Sequence, residues 1–281
     1  MILSPQKMKS YFKGLIKKYF RDPQRNKKGV FKYYGQDVFF PKDSMIFKRA
    51  MSEGGVYERD NLDLIQSFLK PGSTLLDIGA NIGMMAVPLL WNLPDLHVIS
   101  IEASPNTLAY LDKTHNSSPF KDRWEVIDKA VADKPGIIDF HLSESANGAF
   151  DGLKNTNRVN IVNTIKVDCT TIDIIWKEHQ KPVISFIKID IEGADLLALK
   201  GGMECIATCR PILLMEWNQT NIKPYQLTNN DLMKFVLSIG YEIYYLPELN
   251  RITSLVELNL LCKKRFVENY LLLPAEKTEL C

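Results

Sequence analysis

The chain has 281 residues, 46% of them hydrophobic, with 35 Lys and Arg against 33 Asp and Glu. That is the balance of an ordinary globular protein, long enough for one large domain or one domain with an appendage. It holds no run of about 18 apolar residues, and its first residues lack a continuous apolar segment, so neither a spanning helix nor a secretory leader is expected. Five scattered cysteines, with no CxxC pair and no Cys/His cluster at zinc spacing, favour a reducing compartment and a cytoplasmic protein.

Residues 1–32 carry ten Lys and Arg against the single acid Asp22. Within them Met8, Tyr11, Phe12, Leu15, Ile16, Tyr19 and Phe20 recur at helical spacing between lysines, so residues 1–28 read as a basic amphipathic arm. Such a helix docks on its own domain or attaches to an anionic membrane surface or a nucleic acid. Residues 29–70 follow as a short hairpin, Val30–Tyr34 and Val38–Phe40, and a helix, Asn61–Leu69, stopped by Pro71-Gly72.

From residue 71 strands and helices alternate. Strands are expected at Thr74–Ile78, His97–Glu102 and Trp124–Ala130, with helices at about Ile82–Trp91, kinked by Pro88, and Pro105–Asn116. Ile137–Leu142 and Asn163–Val167 read as strands around a polar segment, Ser143–Arg158, expected to fold over a site. Alternation resumes with helix Thr171–Glu178, strand Val183–Ile191, helix Ala194–Ala207, strand Pro211–Trp217 and helix Asn230–Ile239. Strands Tyr241–Leu246 and Val256–Cys262 close the domain at 264, leaving 265–281 as a tail. Nearly continuous apolar strands separated by helices predict an α/β fold with a mostly parallel sheet, helices on both faces and an antiparallel C-terminal hairpin. Ligands of such sheets bind beyond the carboxyl ends of the strands, where the strand order reverses.

Four acids stand at or just past strand ends: Asp77, Glu102, Asp190 and Glu216. After Asp77, Gly79 and Gly83 allow a tight turn and close backbone approach to a ligand. Glu102 follows about 20 residues on, where a carboxylate can accept both hydroxyls of a ribose. The spacing is G-x-x-x-G, not the G-x-G-x-x-G of dinucleotide folds, and a carboxylate in front of it suits a ligand bearing an amino group, not a pyrophosphate. S-adenosyl-L-methionine has ribose, adenine and ammonium without phosphate.

Together "DIGANIG" (77–83), "IEASP" (101–105), "KAVAD" (129–133), "FIKIDIEGAD" (186–195) and "PILLMEWN" (211–218) resemble the FkbM-type methyltransferases, as does "GVYE" (55–58) upstream. The resemblance runs from about residue 53 to 218. It implies a Rossmann-like class I methyltransferase fold with a seven-stranded sheet, S-adenosyl-L-methionine as cofactor, and O-methylation of a sugar or other small-molecule hydroxyl. It further implies that Asp77, Gly79, Ala80, Asn81 and Gly83 line the methionine part of the cofactor and Glu102 holds the ribose. Asp128–Ala130 would pass beside the adenine, Asp190 would sit near the amino-acid end and the transfer point, and Glu192 and Glu58 would face the cleft. Asp195 stands where the family often has glutamate.

A hydroxyl acceptor needs a base, and Asp190, Glu192, Glu58 and His141 are the candidates. Lys188, mid-strand in an apolar run, is expected to meet a carboxylate such as Asp77 or Glu216, or to serve catalysis beside Asp190. Asp190, Glu216 and Asn218 could offer oxygens to Mg²⁺, but nothing enforces a closed site and no metal is assigned. The motif that amino-base methyltransferases place after this strand is missing, which argues against adenine or cytosine amino groups as acceptors. Ribose 2′-O-methylation and a catalytically silent binding protein are the alternatives.

Overall fold

The computed structural model describes residues 29–264 and 268–280. The basic arm read at residues 1–28 lies outside the described residues. Among the described residues no helix is long and apolar enough to cross a membrane.

The centre is an eight-stranded sheet. Chain order gives β3 (Thr74–Ile78), β4 (His97–Glu102), β5 (Trp124–Asp128), β9 (Ile184–Ile189), β10 (Ile212–Glu216), β11 (Tyr241–Tyr245), β12 (Asn250–Ile252) and β13 (Asn269–Pro274). Before them β1 (Val30–Tyr33) and β2 (Gln36–Phe39) form an antiparallel hairpin. Between β5 and β9, β6 (Ala130–Val131), β7 (Gly136–Ser143) and β8 (Ile161–Thr170) make a separate three-stranded sheet.

The large sheet runs β12-β11-β13-β10-β9-β3-β4-β5. Strands β10, β9, β3, β4 and β5 are parallel neighbours, and β13 is antiparallel to both β10 and β11. The chain walks outward from β3 to β5 and returns to β9 on the other side of β3. The strand order therefore reverses between β3 and β9, and a crevice opens there.

Side chains alternate across the sheet as the pleat requires. Leu76 and Ile78 face one core with Ile187, Ile189, Leu213 and Met215; Leu75, Phe186 and Leu214 face the other. The second core also takes in the hairpin aromatics Phe31, Tyr33 and Phe40 and the buried Leu62 and Ile65 of helix Arg59–Phe68. Residues 29–70 thus cover one face of the sheet.

Four expectations change. Helix Ala86–Asn92 begins later than its periodicity suggested, so Pro88 falls in its first turn, where the missing N–H has no partner to lose. The long helix expected at 194–207 is two, Asp195–Lys200 and Met203–Cys209, parted at Gly201-Gly202. Residues Leu255–Leu261, read as a strand, are helical, with Leu258 and Leu261 buried three apart and Val256 and Leu260 exposed. The strand that completes the antiparallel element is β13, inside the segment read as a tail, so the sheet has seven long-range strands plus the edge β12.

Candidate active site

At the reversal point a cleft opens over the carboxyl ends of β3, β4 and β9. Its walls include Gly79, Ala80, Asn81, Glu102, Asp190 and Glu192. The polar segment after β7 folds over it as expected, through Gly148, Ala149, Asp151, Gly152 and Leu153.

The turn after β3 explains the first motif. Gly79 and Ala80 both donate to the Ile101 carbonyl, at 2.9 and 3.1 Å, and Asn81 takes a left-handed conformation (φ 53°). Gly79 has φ 81°, and a Cβ there would stand 2.0 Å from the Asp190 carbonyl oxygen. Its glycine requirement comes from two loops crossing: Asp190 N–H donates to the Ile78 carbonyl at 3.0 Å. Gly83 is not on the cleft wall. A Cβ at Gly83 would meet the Trp124 ring at 2.9 Å, so that glycine serves helix–sheet packing.

Glu102 ends β4 with its carboxylate inside this turn. Oε2 accepts from Asn81 N–H at 2.8 Å, and Oε1 accepts from Ala103 and Ser104 N–H at 2.9 and 2.8 Å. Burial pushes its pKa up, and those three amides pull it down. Ser104 then caps the helix Pro105–Asn116 by accepting from Asn106 N–H. Asp151 fastens the overlying segment: it accepts from the Ser104 hydroxyl and Asn106 amide on one oxygen and from Ser143 on the other.

Asp77 is placed differently from expectation. It is fully buried behind the cleft wall, on the face covered by residues 29–70, directly across from Lys188 in the β3–β9 register. Lys188 Nζ lies 3.8 Å from Asp77 Oδ1, 3.7 Å from Asp190 Oδ2 and 3.4 Å from the Gly79 carbonyl oxygen. Burial opposes the lysine's charge, but Asp190 and Asp77 outweigh it and hold its pKa above the ordinary value. The expected carboxylate partner of Lys188 is therefore Asp77, with Asp190 sharing it.

The second carboxylate group is crowded. Asp190, Glu192 and Glu216 bring one carboxylate oxygen each within 4.8 Å of one another. Glu192, in a left-handed turn (φ 54°), is bound by Arg158 Nη1 at 3.0 and 3.2 Å. Asn221 donates to Glu216 Oε2 at 2.6 Å and accepts from the same Arg158 nitrogen at 3.2 Å. Burial, against Arg158 and with Asp190 and Asp195, raises the Glu192 pKa to about 8. Glu216 is raised well above a carboxylate's usual value by burial and then by Asp190. Asp195, fully buried, is pushed up to about 7 by burial and Asp190.

Three further expectations fall elsewhere. Glu58 lies beside the cleft, not in its wall, fixed by Arg49 Nη1 at 3.1 Å and Asn61 at 3.1 Å; its neighbour Tyr57 reaches the wall. His141 sits on the small sheet, bonded to the Thr164 hydroxyl at 3.0 Å, outside the cleft lining. Asp128 is exposed at the end of β5, whereas Lys129 and Ala130 line the cleft with Phe140. Trp176 and Trp217 are buried core.

Arg158, Asn221, Asp151 and Tyr57 carry no motif of their own. Tyr57 stood inside "GVYE", and Asp151 and Arg158 inside the segment expected to fold over the site. Those three positions were the available signals.

No curated protein matches the sequence. Among solved structures, Methyltransferase FkbM from Methylobacillus flagellatus KT is 20% identical, with a TM-score of 0.49, over 77% of this chain and 46% of that one. The chain thus spans about half the length of that protein. A putative caffeoyl-CoA O-methyltransferase from Staphylococcus aureus is 11% identical (TM-score 0.46), over 83% of this chain and 92% of that one. A putative tRNA (m1A22) methyltransferase from Streptococcus pneumoniae, solved with S-adenosyl-L-methionine, is 15% identical (TM-score 0.43), over 78% and 71%. Residues 77–243, more than half of the chain, match the methyltransferase FkbM domain, and the chain belongs to that family.

Proposed function

We infer that this methyltransferase moves the methyl group of S-adenosyl-L-methionine to a hydroxyl of a sugar or other small molecule bound in the cleft at the β3/β9 reversal. The observation that carries this reading is Glu102: a carboxylate whose three amide donors fix it at the cleft wall, with the remaining lone pair of Oε2 left for a ribose hydroxyl. The rest of the wall fits the same group. Gly79, Ala80 and Asn81 lie beside Glu102, and Ala130, Phe140 and Leu153 offer apolar surface for a purine.

The cofactor would supply a methyl group on a sulfonium, ready for in-line displacement. The protein's share is to position, exclude water and accept a proton. Lys188 keeps Asp190 beside a fixed positive charge, and Asp190, about one-third exposed, is the carboxylate best placed to meet an incoming hydroxyl. Ile46 and Tyr57 from the N-terminal segment line the same cleft. Glu58 and His141, off the wall, are assigned no part in proton transfer.

Calorimetry of the purified chain with S-adenosyl-L-methionine, S-adenosylhomocysteine and NAD⁺ tests this. Binding of the first two alone is expected; binding of NAD⁺ alone would overturn the reading. Four described cysteines are free thiols, which supports a cytoplasmic setting. Contact of residues 1–28 with an anionic membrane surface or nucleic acid is part of the same proposal. Deleting them should abolish liposome or RNA binding and spare cofactor binding.

A further inference from the structure

The crowding of acids beyond the cofactor wall has no place in the scheme above. Asp190 at the end of β9, Glu192 in the turn after it and Glu216 at the end of β10 converge, each offering one oxygen within 4.8 Å of the others. Three oxygens bound to one ion can all stand apart by at most about 3.6 Å for Mg²⁺ and about 4.2 Å for Ca²⁺. From separations of up to 4.8 Å the three atoms therefore close on one ion by inward side-chain movements of about 0.7 Å or less.

A second observation is independent of that triad. Asp195 is fully buried, and its Oδ2 accepts from Gly193 N–H at 3.2 Å, which turns the carboxylate back toward the turn bearing Asp190 and Glu192. Its Oδ1 is buried with no partner. An orphaned buried carboxylate oxygen is costly unless something positive joins it. Four carboxylates gather here. Among the described residues the cations in contact with them are Arg158, on Glu192, and Lys188, on Asp190 and already shared with Asp77.

We propose that Asp190, Glu192 and Glu216 bind one hard divalent cation of the Mg²⁺, Mn²⁺ or Ca²⁺ class, with Asp195 lying behind them as a further negative charge. All donors are carboxylate oxygens, the ligand type such ions prefer, and no sulfur or imidazole competes for a softer metal. Asn218, the third ligand that the sequence suggested, is spent capping the helix after β10, where its side chain accepts from Asn221 N–H at 2.9 Å; Glu192 takes its place. Asp190 and Glu192 also line the cleft, so the ion would lie where a hydroxyl acceptor enters and would make that hydroxyl easier to deprotonate. This last step rests on the methyltransferase reading; the binding of the ion does not.

The test is a titration of the full chain, stripped with EDTA and dialysed, with MnCl₂ followed by calorimetry and Mn²⁺ EPR. S-adenosyl-L-methionine is titrated separately, in EDTA. One equivalent of Mn²⁺ is expected, with affinity on the order of 0.1 mM and displacement by Mg²⁺ or Ca²⁺. Glu216→Gln, which keeps an acceptor for Asn221, and Glu192→Gln should each weaken it about tenfold or more. Arg158→Met, which removes a competing charge, should tighten it several-fold. Circular dichroism establishes that each variant is folded. No saturable Mn²⁺ binding up to about 5 mM, or binding unchanged in Glu216→Gln, would overturn the proposal. Mn²⁺ binding without S-adenosyl-L-methionine binding would support the ion site and sink the donor assignment; the reverse would sink the ion site alone.

Discussion

At one end of the cleft Glu102 receives three backbone N–H groups, and no cation is needed to keep it in place. At the other, Asp190, Glu192, Asp195 and Glu216 share two cationic side chains, one of them reaching in from the overlying segment. Backbone dipoles are part of the fold and do not move when a ligand arrives, so the Glu102 end is preorganised. The acidic end is held by side chains and crowds more carboxyl groups together than its two cations can pair, so burial and mutual repulsion hold Glu192, Glu216 and Asp195 above the usual carboxylate range. It is built to change on binding, and the Glu102 end is built to stay the same.

Breaking the acidic end at its base should have the largest effect. Lys188→Met leaves Asp77 buried and uncompensated, with an expected loss of about 3–5 kcal/mol in urea denaturation. Asp77→Leu added to it should recover most of that loss; a small cost for the single variant would show that Lys188 carries little of the structure. Asp190→Asn should leave the fold intact and lower turnover about 100-fold or more, with donor affinity changed less than about threefold. Equal losses in turnover and affinity would make Asp190 a binding residue. At the preorganised end, Glu102→Ala should weaken S-adenosyl-L-methionine about tenfold in calorimetry, the loss of one charge-assisted contact, and the drop should be the same with or without divalent ions.

The smallest effect lies far from both ends. Arg210 holds Glu276 through two 2.8 Å bonds on the surface, which lowers the Glu276 pKa to about 2. A depressed carboxylate adds stability that is present above its unfolded value near 4.3 and lost as pH falls through about 2. Solvent screening keeps the sum under about 1 kcal/mol. Glu276→Gln should therefore lower thermal stability slightly at neutral pH, and the difference from the parent should vanish near pH 2.

The strands around the reversal point were legible because buried parallel strands are apolar along their whole length, as in "TLLDI" and "ISFIKI". Carboxylates at their ends could be found the same way. Which face a residue takes was not legible. Asp77 lies one residue before the end of β3, and pleating turns it toward the N-terminal core, where Lys188 stands between it and the cleft. Residues 255–261 defeat sequence reading for another reason: "LVELNLL" satisfies both periods, and helix Asn229–Ser238 packing on it decides the matter. Arg158 meets Glu192 and Asn221 only in space, 34 residues from the one and 63 from the other.

Strand β13 has a consequence for how the molecule is made. It lies between β10 and β11, pairing with Leu213–Glu216 on one side and Tyr241–Tyr245 on the other. During synthesis β10 and β11 emerge first and have no ladder between them until residues 269–274 follow. The half-built sheet carries two unpaired edges beside the apolar Leu271, Leu272 and Leu273 positions they await. Closure of the sheet is thus a late, long-range event. A nascent chain halted near residue 264 would expose a strand-wide gap to whatever chaperone or neighbouring chain meets it first.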